Sequence, residues 1–412
     1  MNKPGYKLTS LGWIPEDWEV KRIKDIGKIS SGTTPSRNIP EYYADGEIYW
    51  VKTTDLNNSI IFNTGEKVTH KALLETSLRI YPKGTVLVAM YGGFNQIGRT
   101  GLLGIEATIN QALSAITVDL EKTDRRFLLN WFNANVGLWK NFAGSSRKDP
   151  NITGNDVGDF PIIDMPLSEQ RRIASILSTW DTAIAKEEQL IEILQTRHRA
   201  LLHELLSGKR RLNGFKNDWK FFRFNEIYKT IKKFVGDNPL LPLSVTKDGI
   251  IPQQEYFNKA VTSEDTSNYL VVKRGNMVMS GLNFWMGSID VLINYEEGMV
   301  SPAYKVFEIC NSSVSEIYML HFARSRIMLQ ALIGSSVVGA SIVRRNMDRE
   351  TLEEWAFHLP PLPEQTAIAS VLSTSEKEIQ IHRRRLAALQ QQKKGLMQVL
   401  LTGKVRVKAA EP

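Results

Sequence analysis

The sequence predicts a mixed α/β protein: two α/β domains separated by two long helices that form an antiparallel coiled coil with pseudo-two-fold symmetry. Three observations predict this fold: an internal repeat in the 412-residue chain, a seven-residue apolar period within each copy, and short β-branched runs before each copy. We divide the chain into a first α/β domain over 1–158, a first helical spacer over 159–212, a second α/β domain over 213–353, and a second helical spacer with the C-terminal tail over 354–412.

The repeat is clearest where PLSEQRRIASILSTW, starting at Pro166, recurs as PLPEQTAIASVLSTS, starting at Pro361. Of the 46 residues from Pro166 to Arg211, 19 are identical to the residue 195 positions later. A weaker sequence similarity relates residues 17–30 to residues 218–231. Between these anchors the two halves differ in length and in residue type, so the chain has the order variable, constant, variable, constant.

Each constant segment is expected to be one long helix. It begins with Pro before Glu-Gln, which is typical of a helix start, and it ends with Gly then Lys at Gly208 or Gly403, which is typical of a helix stop. Such a helix would be about 60 Å long and would leave its apolar stripe exposed if it stood alone. We therefore expect the two copies to pack on each other, with the two domains at opposite ends.

The apolar residues of both segments recur with the spacing 4-3-4-3, which indicates a coiled-coil seam. The predicted seam residues are Ile173, Leu177, Ile184, Ile191, Leu194, Leu201, Leu205, Ile368, Leu372, Ile379, Leu386, Leu389, Leu396 and Leu400. Polar residues interrupt the seam at Glu187, His198, His382 and Lys393. These either fix register and orientation or lie in frayed or exposed stretches. For His198 and Lys393 we favour the second interpretation.

The variable segments contain short strand-like runs, at 46–52, 84–91, 268–272 and 276–281, separated by Gly, Asn and Asp turns. Several loops combine glycine with asparagine, aromatic residues and cations, which can contact phosphates and base edges. The candidate DNA-binding residues are Lys52, Thr53, Tyr91, Asn95, Arg99, Arg147, Lys148, Asn151, Lys247, Asn283, Trp285, Arg344, Arg345 and Asn346. For any single loop, ordinary turn chemistry is the commoner explanation.

The composition restricts the classes of function. The net charge of +8 suits a nucleic-acid partner, although it also describes a merely basic globular protein. The single cysteine, Cys310, excludes an intrachain disulfide and a cysteine-rich metal site, and the six histidines are scattered. Neither a P-loop nor a G-x-G-x-x-G pattern occurs. No apolar run has the ~20 residues of a membrane span, and the N-terminus lacks a signal-peptide core, so we expect a cytoplasmic protein without catalytic or metal-ligating residues of its own.

The order of these segments resembles the specificity subunits of Type I restriction–modification systems. The resemblance rests on the two Pro-Leu-x-Glu-Gln helices, their LLSGK and LLTGK endings, and the entry segments around Trp18 and Trp219. It covers the whole chain. It implies that each variable segment is a target-recognition domain that reads one half of a bipartite, asymmetric DNA sequence, while the helices fix the spacing of the halves.

The resemblance also implies the partners of such a subunit. It would bind double-stranded DNA, dock two modification (methyltransferase) subunits and join restriction (translocase/nuclease) subunits, without catalysing a reaction itself. No cofactor is expected in this chain, because S-adenosylmethionine, ATP and Mg²⁺ would be bound by the partner subunits. The alternatives are the specificity subunit of a methylase or combined cleavage–methylation system without ATP-driven cleavage, and a coiled-coil scaffold that binds only proteins.

Overall fold

The structure is a computed structural model that describes residues 3–93, 95–143, 151–246, 249–257, 265–341 and 344–407. The chain divides into two compact units. Unit 1 contains Met1–Glu188 and Arg385–Pro412, and unit 2 contains Gln189–Arg384. The two long helices, α5 and α11 below, each contribute one half to each unit.

Unit 1 is a mixed α/β unit, as the sequence predicts. Its central sheet has the strand order β4-β11-β8-β9-β6, antiparallel except for the parallel pair β6–β9, and a smaller sheet has the order β10-β5-β7. Unit 1 also contains two separate two-stranded sheets, β1–β2 and β3–β12. The strands are β1 (Tyr6–Thr9), β2 (Gly12–Pro15), β3 (Glu19–Arg22), β4 (Gly27–Ser31), β5 (Ile48–Val51), β6 (Ile60–Ile61), β7 (Glu66–Val68), β8 (Val86–Ala89), β9 (Thr100–Leu103), β10 (Thr108–Ile109), β11 (Leu113–Val118) and β12 (Pro161–Asp164). The helices are α1 (Ile23–Ile26), α2 (His70–Glu75), α3 (Arg125–Ala134), α4 (Gly154–Asp159) and the first half of α5 (Leu167–Leu206), together with the second half of α11 (Leu362–Leu400).

Unit 2 contains a four-stranded antiparallel sheet of order β14-β21-β18-β19, and four two-stranded pairs, β13–β24, β15–β16, β17–β20 and β22–β23. The strands are β13 (Lys220–Arg223), β14 (Tyr228–Ile231), β15 (Leu243–Thr246), β16 (Gly249–Pro252), β17 (Leu270–Lys273), β18 (Met277–Ser280), β19 (Ile289–Val291), β20 (Glu297–Val300), β21 (Tyr304–Ile309), β22 (Ser336–Ser341), β23 (Arg344–Met347) and β24 (Ala356–Leu359). The helices are α6 (Phe224–Ile227), α7 (Gln253–Phe257), α8 (Glu316–Ala323), α9 (Arg326–Gly334) and α10 (Arg349–Glu353), together with the second half of α5 and the first half of α11 (Leu362–Leu400). The four strand-like runs of the sequence thus contribute β5, β8, β17 and β18.

Both long helices end in the way that the Gly-Lys pattern predicts. Gly208 and Gly403 have φ values of +72° and +67°, in the left-handed region where glycine avoids a Cβ clash. The N–H of Arg210 then donates to the carbonyl of Glu204 at 3.2 Å, and the N–H of Val405 donates to that of Val399 at 3.1 Å. These bonds satisfy carbonyls that the last helical turn leaves unpaired.

Each unit has its main core between its sheet and the long helices. In unit 1, Trp18, Phe127 and Ile163 lie with Ile173 of α5 and Leu400 of α11 in one buried cluster. In unit 2 the corresponding cluster contains residues of β18, α8 and both long helices. None of the helices in the described part of the chain combines the length and apolar character that a bilayer crossing requires.

Candidate nucleic-acid interface

Two hairpin loops occupy equivalent positions in the two sheets. We call residues 90–99, between β8 and β9, loop A, and residues 281–288, between β18 and β19, loop B. Loop A needs glycine at residue 98, where φ is +78° and a Cβ would lie 2.1 Å from the ring of Trp139. Tyr91 is 41% exposed, and Asn95 is exposed as well. Loop A therefore presents an aromatic ring and an amide to solvent.

Other candidates in unit 1 are partly occupied within the protein. Arg99 is half-buried, and its guanidinium donates to Gln96 Oε1 at 3.0 Å. Lys52 Nζ lies 2.5 Å from Glu66 Oε1, and Arg37 Nη2 lies 2.7 Å from Glu66 Oε2. Lys52, and then Arg37, hold the pKa of Glu66 below its ordinary value. A phosphate would have to compete with Glu66 for Lys52.

Arg37 is a candidate that the sequence analysis missed. Its guanidinium lies 4.2 Å from the ring centre of Tyr43, and its side chain is 54% exposed. The sequence signal is weak, because Arg37 follows a Thr-Pro-Ser turn that resembles many solvent-exposed loops. Its aromatic neighbours are brought to it only by the fold.

Loop B meets β23 through one aromatic–cation contact. The Arg345 guanidinium lies 5.0 Å from the ring centre of Trp285, and Arg345 Nη1 donates to Ser336 Oγ at 3.0 Å. Among the described residues, Trp285 Nε1 and Arg345 Nε have no hydrogen-bond partner although both atoms are buried. Asn283 is exposed in the same loop, and Asn346 is exposed on β23. The fold thus brings four candidates from two distant sequence segments into one neighbourhood of unit 2.

The remaining candidates divide into two groups. Thr53 is half-buried in a 3₁₀ turn, and Asn151 is exposed just before α4. Arg147, Lys148 and Lys247 lie outside the described residues, and so does the side chain of Arg344. No group of three or more His, Cys, Asp or Glu side chains that could hold a metal ion occurs within the described ranges.

The Glu-Gln pair at the start of each long helix joins that helix to its unit. Glu169 is 5% exposed; it accepts from Trp18 Nε1 at 3.2 Å and from Arg406 Nε at 2.8 Å. Arg406 also forms a two-pronged contact with Asp17, at 2.8 and 2.9 Å, which holds the pKa of Asp17 below its ordinary value. We call Asp17, Trp18, Glu169 and Arg406 clasp 1.

Unit 2 repeats this arrangement with the residues that the internal repeat assigns to it. Glu364 is fully buried and accepts from Trp219 Nε1 at 3.1 Å. Arg211 donates to the same carboxylate through Nε at 2.5 Å and Nη2 at 2.7 Å. We call Trp219, Glu364 and Arg211 clasp 2. The repeated Trp, Glu and Arg therefore perform the same structural task in both units.

The glutamine that follows each glutamate ties the long helix to an earlier helix of its unit. Gln170 Oε1 accepts from the backbone N–H of Asp124, which caps α3, and Gln365 Oε1 accepts from that of Ser315, which caps α8. Both glutamines also donate to backbone carbonyls, including those of Met165 and Pro360. A buried amide is stable only when its donors and acceptor are satisfied, which explains why both copies use Gln.

None of the predicted seam residues is exposed. The buried members are Ile173, Leu177, Ile191, Leu194, Leu205, Ile368, Leu372, Ile379 and Leu400, and the half-buried ones are Ile184, Leu201, Leu386, Leu389 and Leu396. Among the polar interruptions, Glu187 is buried and pairs with Arg385 in unit 1 at 3.6 Å, while His382 is half-buried.

The interpretation of His198 and Lys393 as frayed or exposed positions is wrong. His198 is 9% exposed, and its Nε2 lies 3.5 Å from Glu376 Oε1 in unit 2. Lys393 has a side chain that is 15% exposed, and its Nζ lies 2.5 Å from Asp181 Oδ1 in unit 1. The carboxylate partner lies on the other long helix in each case, so the sequence of one helix alone could not reveal it.

Comparison with known proteins identifies the family. The family model described as "Type I restriction modification DNA specificity domain" matches this chain twice, over residues 15–196 and 216–391. The chain therefore belongs to the family of Type I restriction–modification specificity subunits.

Relatives with similar sequences carry the same family description. The Type I restriction enzyme MjaIX specificity subunit of Methanocaldococcus jannaschii is 33% identical over 266 residues, which are 62% of this chain and 58% of that protein. The putative type I restriction enzyme MjaX specificity subunit of the same organism is 25% identical over 442 residues, covering 98% of this chain and 97% of that protein. The match thus spans just over half of the first relative and nearly all of the second.

Solved structures with the same fold include a chain from a study of complex assembly and conformational transition of the type I R-M system. It has a TM-score of 0.59 and 16% identity, covering 95% of this chain and 99% of that one. The S subunit of the Type-I restriction-modification system from M. genitalium has a TM-score of 0.56 and 14% identity, with 97% and 99% coverage. These similarities establish the fold of the chain.

Proposed function

We propose that this chain is a non-catalytic adaptor that reads a bipartite, asymmetric DNA sequence, one half with each unit, and docks modification and restriction subunits. The observation that carries the proposal is the double family match combined with equivalent loops of different sequence. Loop A presents Tyr91 and Asn95, whereas loop B presents Asn283 and contains the half-buried Trp285. Different side chains on equivalent hairpins suit the recognition of two different half-sites.

We also propose that α5 and α11 form an antiparallel coiled coil with pseudo-two-fold symmetry, which spaces the half-sites. The ion pairs within each unit support this arrangement. In unit 1, Asp181 pairs with Lys393 and Glu187 with Arg385; in unit 2, Arg197 pairs with Glu378 and His198 with Glu376. In both units, residues further along α5 pair with residues earlier on α11, which is the pattern expected of antiparallel helices. The repeat also relates two of these pairs to each other. Asp181 is 195 positions before Glu376, and His198 is 195 positions before Lys393, which is the shift of the repeat.

The same proposal assigns the cofactors to the partner subunits. S-adenosylmethionine, ATP and Mg²⁺ belong to the partner subunits, and this chain contributes binding energy and alignment. Its basic residues supply a salt-dependent, sequence-independent affinity for phosphates, and the loop side chains add sequence preference. The names of the relatives, which are specificity subunits of restriction enzymes, support this division of labour.

Selection of DNA from a randomised pool of duplexes tests the proposal. The purified chain, assembled with its modification subunits, should enrich two short sequence blocks separated by a gap of fixed length. Enrichment of a single continuous block would contradict bipartite reading. Enrichment of no sequence at all would favour a scaffold that binds only proteins.

Substitutions in the two loops should affect one block each. We expect Asn95→Ala to reduce discrimination only in the block read by unit 1, and Asn283→Ala only in the block read by unit 2. Each loss should be about 5- to 150-fold, because a well-placed amide–base contact contributes about 1–3 kcal/mol of discrimination. The two variants are matched controls for each other in the same selection. Equal weakening of both blocks by either variant would show that its loop acts on general affinity.

A further inference from the structure

A charged cluster in unit 2 connects the sheet to both long helices. Arg324, directly after α8, forms a two-pronged contact with Asp290 on β19, with both N–O distances at 2.8 Å. Arg324 Nη1 also lies 3.6 Å from Glu376 Oε1 on α11. The same carboxylate oxygen lies 3.6 Å from His321 Nδ1 on α8 and 3.5 Å from His198 Nε2 on α5. One carboxylate thus joins groups from three helices.

The geometry of this cluster is constrained because part of it is buried. The side chains of Arg324 and Glu376 are 35% and 34% exposed, whereas other members are enclosed. Asp290 is 2% exposed and His321 is fully buried. Burial alone would raise the pKa of Glu376, but His198, His321 and Arg324 together hold that pKa well below its ordinary value. A buried charge that loses its partner is strongly destabilising. These groups therefore tend to move together, so displacing one side chain should change the positions of the others.

The cluster lies next to the candidate DNA-reading segments of unit 2. Loop B ends at residue 288, and Asp290 lies two positions later, on β19. Gly249, where β16 begins, also lies against it: a Cβ there would be 3.0 Å from Asp290 Oδ2. Its φ of +118° requires glycine as well. The Asp290 carboxylate therefore lies two positions after loop B and packs closely against the backbone at Gly249.

Among the described residues of unit 1 we find no such connection, although the repeat gives this unit the equivalent ion pair. Asp181 and Lys393 correspond to Glu376 and His198. The position equivalent to Arg324, counted from the cap residue of α3, is Asn133, which donates to the Asn58 carbonyl at 2.8 Å and accepts from Thr100 at 2.6 Å. Within the described part of unit 1, no hydrogen bond or ion pair joins Asp181 to α3.

We propose that Asp290, Arg324, Glu376, His321 and His198 form a positioning relay that aligns loop B with the long helices, and that unit 1 reads its half-site without one. The inference rests on the proposed function, because it assigns a mechanical role within DNA reading. Loop B would hold its base-reading angle only while Glu376 keeps Arg324 and His198 in place. The register of the helices and the reading of the second half-site are then coupled, whereas the first half-site is read independently of Asp181.

The test uses the full complex and the same randomised duplex pool. Glu376→Gln preserves the shape of the side chain and removes its charge. We expect it to lower discrimination in the block read by unit 2 by about tenfold, with the other block unchanged, since misalignment of one base contact already costs about that factor. Asp181→Asn, the repeat-equivalent change in unit 1, should alter neither block.

A second pair of variants separates alignment from folding. Arg324→Lys keeps the charge but loses the planar fork, so it should weaken the same block, and the double variant with Glu376→Gln should be no worse than the stronger single variant. Thermal unfolding of each variant checks that unit 2 remains folded. A lowered melting temperature with unchanged discrimination in both blocks would overturn the relay, as would an equal loss in both blocks. If the wild-type complex selects no bipartite sequence, the proposed function fails instead.

Discussion

Glu364→Gln should lower the melting temperature of unit 2 by about 6–12 °C, the largest stability effect that we expect from one substitution. The carboxylate is fully buried and accepts from both Trp219 and Arg211. Its replacement leaves the Arg211 guanidinium, whose side chain is 31% exposed, without an anionic partner. Breaking such a pair costs about 3 kcal/mol, and 1 kcal/mol shifts the midpoint of a unit of this size by about 2–4 °C.

Glu354→Gln provides the matched control in the same unit. Glu354 pairs with Arg223 at 2.6 Å, but both side chains are 58% exposed. An exposed pair contributes about 0–1 kcal/mol, so this variant should melt within about 4 °C of the wild type. Differential scanning calorimetry measures both variants. If Glu364→Gln melted like Glu354→Gln, clasp 2 would not be a significant anchor of the helix.

Insertion of one heptad into each long helix should lengthen the gap between the two DNA half-sites by about three base pairs. We would place seven residues after Glu188 in α5 and seven after Arg384 in α11, where the chain divides into its two units. A heptad preserves the 4-3 spacing of the seam. Seven residues add about 10.5 Å of helix, and one base pair rises about 3.4 Å.

The control for this experiment carries the heptad in α5 alone. It displaces one helix against the other, so the pairs formed by Asp181 with Lys393 and by His198 with Glu376 cannot both persist. We expect weaker DNA binding from this variant, without a clean shift of the gap. Selection from the randomised pool reports both results. An unchanged gap in the double insertion would refute the role of the helices as a spacer.

The sequence predicted those parts of the fold that depend on local chemistry. The two long helices and their glycine ends follow from patterns within about 40 residues, and such patterns report directly on backbone preference and on the buried face. Mixed α/β units could be predicted for the same reason, because short β-branched runs and turns alternate in both variable segments.

Contacts between distant residues could not be predicted in this way. Arg406 and Asp17 are 389 positions apart, so clasp 1 is invisible until the chain is folded. Lys393 looked like a defect in a seam because its partner, Asp181, lies on the other helix. Arg37 lacked any pattern of its own. For the candidate DNA-binding residues, the sequence identified the loops better than the individual side chains, since Lys52 and Arg99 already have partners within unit 1.

The most direct test of the proposed bipartite reading is a genome-wide map of methylated bases in cells that carry this chain with the modification subunits proposed for it. The map from the wild type is compared with that of a chimera in which residues 27–158 come from another specificity subunit. This exchange leaves Asp17 and Trp18 available to clasp 1. We predict that one half of the methylated motif changes while the other half and the gap stay the same. A change in both halves, or a motif that does not respond to the exchange, would contradict the account.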